Sequence, residues 1–177
     1  MDLWVFGYGS LIWNPGIEVA ETVRATLDGY HRSYCMWSIH HRGSEAEPGL
    51  VLALEPAPGA ACEGVAIRAA DPEPALAALR ERELISSAYR EEQVRLRAAD
   101  GRAIEAITYV MDTSHPQYAA GLSLERQAEI IAHATGGRGP NHEYLSASVE
   151  ALEGIGVRDP DLARLDAMVR RIRDRPA

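Results

Sequence analysis

A chain of 177 residues with 46% hydrophobic side chains can fill the core of one domain and is short for a second. Its formal net charge of -8 and pI near 5.2 repel phosphate backbones and anionic lipid, which argues against nucleic acid or a membrane surface as partner. All eighteen basic residues are arginine, so a P-loop lysine, a Schiff base and any other lysine nucleophile are excluded.

The opening Met1-Asp2-Leu3-Trp4 lacks the basic and apolar regions of a signal peptide, and no apolar run reaches membrane-spanning length. A soluble, reducing, cytoplasmic setting is expected. Cys35 and Cys62 are too few and too far apart for a zinc knuckle and read as buried free thiols.

In chain order, Leu3 to Phe6 reads as a short buried strand that runs into the turn Gly7-Tyr8-Gly9-Ser10, where the backbone bends or something approaches it closely. After the Asn14-Pro15-Gly16 loop, Val19 to Leu27 is extended up to Asp28-Gly29, and Tyr30 to Ser38 forms another strand. A polar loop from Ser38 to Gly49 is long enough to suspect function. Leu50–Leu54 and Gly64–Arg68 read as a hairpin about Glu55–Gly59. Asp71-Pro72 predicts a capped helix to about Ile85. Val94–Ala98 and Ile104–Met111 flank Asp100-Gly101 in a second hairpin.

From Ser123 the period becomes helical. Ser123 caps a helix to about Ala134 that Gly136-Gly137 ends, Asn141 starts another, and Asp159-Pro160 starts a last one with Leu162, Leu165, Val169 and Ile172 on one face. The class is α+β, a small curved sheet or barrel with helices packed around it, in a single domain spanning 1–177. The arginines at 170, 171, 173 and 175 suit the C-terminal end of a helix dipole better than a nucleic-acid arm. No coiled-coil heptad or exposed apolar stripe points to an obligate oligomer.

Turning about 100° per residue from Leu76 puts Leu79 at roughly -60°, Glu83 at roughly -20° and Glu81 at roughly +140°. Glu83 projects between two leucines and Glu81 points away. A carboxyl so placed loses hydration, and its pKa rises toward the range useful for a general acid or base. The alternative is a structural ion pair of Glu83 with Arg80 or Arg82.

The Gly7–Ser10 turn fails as a dinucleotide fingerprint, because position 12 is Ile where the third glycine belongs. It lacks the strand-to-helix elbow of a serine nucleophile. What remains is an anion nest of successive N–H groups, or a glycine turn that only lets strands pack. His40 and His41 are adjacent with no third ligand at metal spacing, so no metal is expected.

Taken together, Phe6–Leu11 with Trp13–Pro15, Gly29–Arg32, Ser38–Gly43, Glu81–Leu84 followed by Tyr89, His115–Tyr118 and Gly139–Leu145 resemble the ChaC-like γ-glutamylcyclotransferases, in order from about Trp4 to the last helix. The resemblance implies a small β-barrel with flanking helices and cleavage of glutathione to 5-oxoproline and cysteinylglycine, without metal or cofactor. It maps the family's catalytic glutamate to Glu83 and its substrate loop to Val5, Phe6, Gly7, Tyr8, Gly9, Ser10 and Leu11. Arg42, Tyr89, Asn141 and Tyr144 are further candidates for the cysteinylglycine half. The chain departs from the commoner pattern at Leu84, at Ser86–Ala88 and at Arg90–Gln93.

Overall fold

A computed structural model of the chain describes residues 1–85 and 87–176. The departure at Ser86 lies outside the described residues. Seven strands and four helices alternate as β1 (Trp4–Gly7), β2 (Val19–Ser38), β3 (Gly49–Ala69), α1 (Pro72–Glu83), β4 (Tyr89–Ala98), β5 (Ala103–Met111), α2 (Leu124–His133), β6 (Thr135–Gly136), β7 (Gly139–Pro140), α3 (Asn141–Gly154) and α4 (Pro160–Arg173) among the described residues. The class is α+β, as expected.

Five strands close a barrel in the order β1-β3-β2-β4-β5. β1 runs antiparallel to β3, with Phe6 opposite Ala66 and Gly7 opposite Val65, and its parallel pairing with β5 at Val5 and Ile107 closes the circle. Closure pairs the barrel strands on both sides among the described residues. Phe6, Leu27, Leu54, Leu96, Ile104 and Val110 belong to its interior cluster.

The two strand pairs expected before α1 are instead two long continuous strands. Gly29 and Gly59, the punctuation that suggested reversals, take left-handed φ values of +86° and +84° inside β2 and β3, with nothing within 4 Å of where a Cβ would stand. Such residues kink or bulge a strand without ending it.

The chain divides into two compact units, one of Met1–Ser33 and Ala53–Pro116, the other of Tyr34–Leu52 and Gln117–Ala177. The first holds β1, β4, β5, α1 and the greater part of β2 and β3. Asp71 takes the extended N-cap conformation with proline following, yet its side chain makes no cap bond, so proline and tertiary packing start this helix. In the second unit α2, α3 and α4 pack on one another and bury Ile131, Leu145, Leu152, Leu165 and Val169. Ser123 and Asp159 cap α2 and α4 by accepting the N–H groups of Arg126 and Leu162. The glycines after α2 form the small β6–β7 hairpin, and α3 starts at Asn141 as expected, with Pro140 at its cap position.

Candidate active site

Val5 and Phe6 are both fully buried, Phe6 in the interior cluster of the barrel, and the chain leaves β1 at Gly7 into a single 3-10 turn over Ser10–Ile12. The turn is tight. Ile12 N–H donates to the Gly9 carbonyl at 2.9 Å and Asn14 N–H to the Ser10 carbonyl at 2.7 Å. The N–H groups of Gly9, Ser10 and Leu11 have no acceptor among the described residues. Three successive donors at the start of a turn form a concavity suited to a carboxylate or an oxyanion.

The turn is braced from several sides. Tyr8 is buried and its hydroxyl donates to the Tyr109 carbonyl at 3.1 Å. Arg32 of β2 donates to the Tyr8 carbonyl at 2.8 Å and to the Glu63 carbonyl. Ser10 Oγ accepts from Arg82 Nη2 at 3.0 Å, which engages it as a structural acceptor. Leu11 is buried beneath the turn, and a Cβ at Gly7 would stand 3.3 Å from both Leu11 Cβ and Val65 Cγ2.

Against this turn stands the end of α1. Leu79 is fully buried, Glu81 is exposed, and Glu83, the last helical residue, keeps a side chain only 15% exposed. That is the orientation the helical period predicts. Burial raises the Glu83 pKa above the ordinary carboxylate value, and the nearby Arg82 cation pulls it partly back, with Arg82 Nε 3.3 Å from Glu83 Oε1. A carboxylate at the negative end of a helix dipole is disfavoured in the same direction. Both sequence readings of Glu83 therefore describe it in part. It is desolvated, and it is paired with Arg82. Arg80 turns away to hold Glu91 of β4 at 2.9 and 3.0 Å.

Tyr109 of β5 lies under the same site. Its hydroxyl donates to Glu91 Oε2 at 3.1 Å, and burial, the Glu91 charge and the Glu83 charge all push its pKa up, so it stays a neutral phenol. The bond from Arg80 holds Glu91 below the usual carboxylate range. Of these residues, Arg32 and Glu91 had no role in the sequence reading, and Tyr109 enters it only as one of several tyrosines that could line a pocket. Arg32 lies within one of the segments that carried the resemblance. The Tyr109–Glu91 pair follows only from the β4–β5 register, which puts the two opposite each other.

Tyr89 opens β4 opposite Met111 in the first unit. Arg42, Asn141 and Tyr144 fall in the second unit, where they meet one another's surroundings. Arg42 Nη1 donates to the Pro140 carbonyl at 3.2 Å and its guanidinium lies 5.7 Å from the Tyr144 ring centre. Tyr144 Oη accepts from Leu52 N–H at 3.2 Å. Asn141 is fully buried, accepting from Leu50 N–H and donating to the Leu50 carbonyl, each at 2.8 Å. Asn141→Ala is expected to lower stability by about 1–3 kcal/mol for each buried group left unpaired, read by urea unfolding. Unchanged unfolding with altered turnover would give Asn141 a binding role instead.

Comparison with known proteins bears on what such a turn and carboxyl do. The family model for ChaC-like proteins matches residues 3–172. Over 172 residues the chain is 37% identical to the Escherichia coli (strain K12) protein named glutathione-specific γ-glutamylcyclotransferase, covering 96% of this chain and 74% of that one. It is 34% identical over 180 residues to γ-glutamylcyclotransferase 2-3 of Arabidopsis thaliana, covering 97% and 90%. The crystal structure of a yeast γ-glutamyl cyclotransferase specific to glutathione shares the fold, with a TM-score of 0.87 at 23% identity over 98% of this chain and 97% of that one. A match that runs from the approach to β1 as far as the last turn of α4 takes in residues of both units, and on that extent the chain belongs to the ChaC-like family.

Proposed function

We propose that this chain is a γ-glutamylcyclotransferase, a lyase that cleaves glutathione to 5-oxoproline and cysteinylglycine. The observation that carries the reading is the desolvated Glu83 carboxyl, joined through one guanidinium to a turn whose three successive N–H groups have no acceptor among the described residues. The names of the E. coli and yeast relatives support glutathione as the substrate.

A γ-glutamyl group contains both its nucleophile, the α-amine, and its electrophile, the γ-amide carbon. The protein has only to fold the substrate into a ring and manage protons. Intramolecular attack reaches effective molarities of order 10⁵ M or more when the geometry is held. In the proposed sequence the α-carboxylate or the oxyanion rests on the N–H groups of Gly9 to Leu11. The Glu83 carboxylate removes a proton from the α-ammonium, the amine nitrogen bonds to the γ-carbon, and the bond to the cysteinyl nitrogen breaks. The proton held on Glu83 passes to that departing amine, and the second proton, shed by the ring nitrogen as it becomes the lactam N–H, follows through the same carboxylate to leave the amine as an ammonium. The chemistry calls for no cofactor. A reducing cytoplasm is the matching compartment for a thiol substrate and for Cys35 and Cys62, both buried and neither in a disulfide.

Mass-spectrometric product analysis with glutathione and γ-glutamyl-alanine side by side tests the substrate. Equimolar 5-oxoproline and cysteinylglycine from glutathione, with little turnover of the dipeptide, is the expected result. Preference for γ-glutamyl-alanine would move the substrate to another γ-glutamyl compound, and binding of glutathione without turnover would make the chain a ligand-binding protein.

A further inference from the structure

All three nitrogens of the Arg82 guanidinium are engaged on the site. Nη2 donates to Ser10 Oγ at 3.0 Å, Nη1 donates to the Asn14 carbonyl at 2.5 Å, and Nε stands 3.3 Å from Glu83 Oε1. The backbone closes around it, since a Cβ at Gly16 would lie 3.3 Å from the same Nη1. Neighbouring residues on a helix do not face each other, so a contact between Arg82 and Glu83 requires the arginine to curl across the helix end. Curling back restricts a flexible side chain, and the two acceptors of the turn hold it there. Arg80, two residues back on the same helix, makes an ordinary ion pair to a neighbouring strand instead.

We infer that Arg82 is a positioning residue for the cyclotransferase reaction, its guanidinium setting the separation between the N–H turn and the Glu83 carboxylate so that both meet one folded γ-glutamyl group. This rests on the reading of the chain as a cyclotransferase. A planar fork with several fixed donors suits the task, and a lysine ammonium does not reproduce it. The groups facing Glu83 are Arg82 from its own helix and the neutral Tyr109 phenol of β5, whose proton is directed to Glu91 of β4.

The test uses the full chain with Arg82→Gln and Arg82→Lys, followed by thermal melting, kcat and KM for glutathione across pH, and carboxyl carbon NMR titration of Glu83. With Arg82→Gln, KM should rise and kcat fall, together by roughly ten- to a hundredfold, the scale of an ångström-sized misplacement. The acidic limb of the pH profile should move to higher pH, because the cation that favours the Glu83 carboxylate is gone. Arg82→Lys should restore the limb and leave KM raised. A folded Arg82→Gln variant with wild-type KM and an unmoved limb would overturn the inference. Wild-type protein inactive on every γ-glutamyl compound would sink the cyclotransferase reading and the substrate half of the inference with it. The NMR titration then still tests the Arg82–Glu83 contact, since an unchanged Glu83 titration in Arg82→Gln would overturn that contact independently of turnover.

Discussion

Replacing Glu83 with Gln is expected to lower glutathione turnover by roughly 10²–10⁴-fold, the contribution of a positioned general acid–base group. Gln keeps the shape and can still meet Arg82 through its carbonyl oxygen, so substrate binding and fold should persist. Glu81→Gln, on the exposed side of the same turn of α1, should leave turnover near wild type. Stability offers a second readout. The folded Glu83 carboxyl binds its proton more tightly than the unfolded one, so wild-type stability falls as pH rises from the ordinary value of 4.5 through the raised folded value, then levels off. The Gln variant lacks this fall, and its Tm relative to wild type should increase across that window. Near-normal turnover in Glu83→Gln would remove the carboxyl from the mechanism.

Gly64→Ala is expected to destabilise the barrel by about 1–3 kcal/mol, the usual cost of forcing atoms into a close-packed site. A Cβ at Gly64 would overlap the Gly7 carbonyl oxygen and stand 3.0 and 3.1 Å from Cζ and Cε1 of Phe6. Neither neighbour can move cheaply. Gly7 is paired with Val65 in the β1–β3 ladder, and Phe6 is fully buried in the interior cluster. Relief must come from β1 itself, which carries the N–H turn, so kcat/KM should fall along with the urea midpoint. Wild-type values of both would mean that β1 does not hold the turn in place.

The sequence was most legible where a short-range rule decides the outcome. A 3.6-residue period separates Glu83 from Glu81, and Ser123 and Asp159 cap their helices through bonds to residues three positions on. It was less legible where distant residues decide. Gly29 and Gly59 take the backbone angles of a turn while the barrel ladder carries β2 and β3 straight through them. Asp71 has the composition of a cap and makes no cap bond. Within the site, the sequence offered Arg80 or Arg82 as the partner of Glu83 without choosing between them, and the acceptors at Ser10 and Asn14, some seventy residues away in sequence, hold the Arg82 guanidinium beside it. Asn141 invites a binding role by residue type, whereas its carboxamide completes the Leu50 backbone.

The most direct measurement is turnover of glutathione in water enriched in oxygen-18, with mass analysis of the released glutamyl product. Attack by the substrate's own amine predicts 5-oxoproline carrying no heavy oxygen, in equal amount with cysteinylglycine. Glutamate labelled with oxygen-18 as the first product would mean that water, not the α-amine, is the nucleophile, and would contradict the cyclisation assigned to Glu83 and the N–H turn.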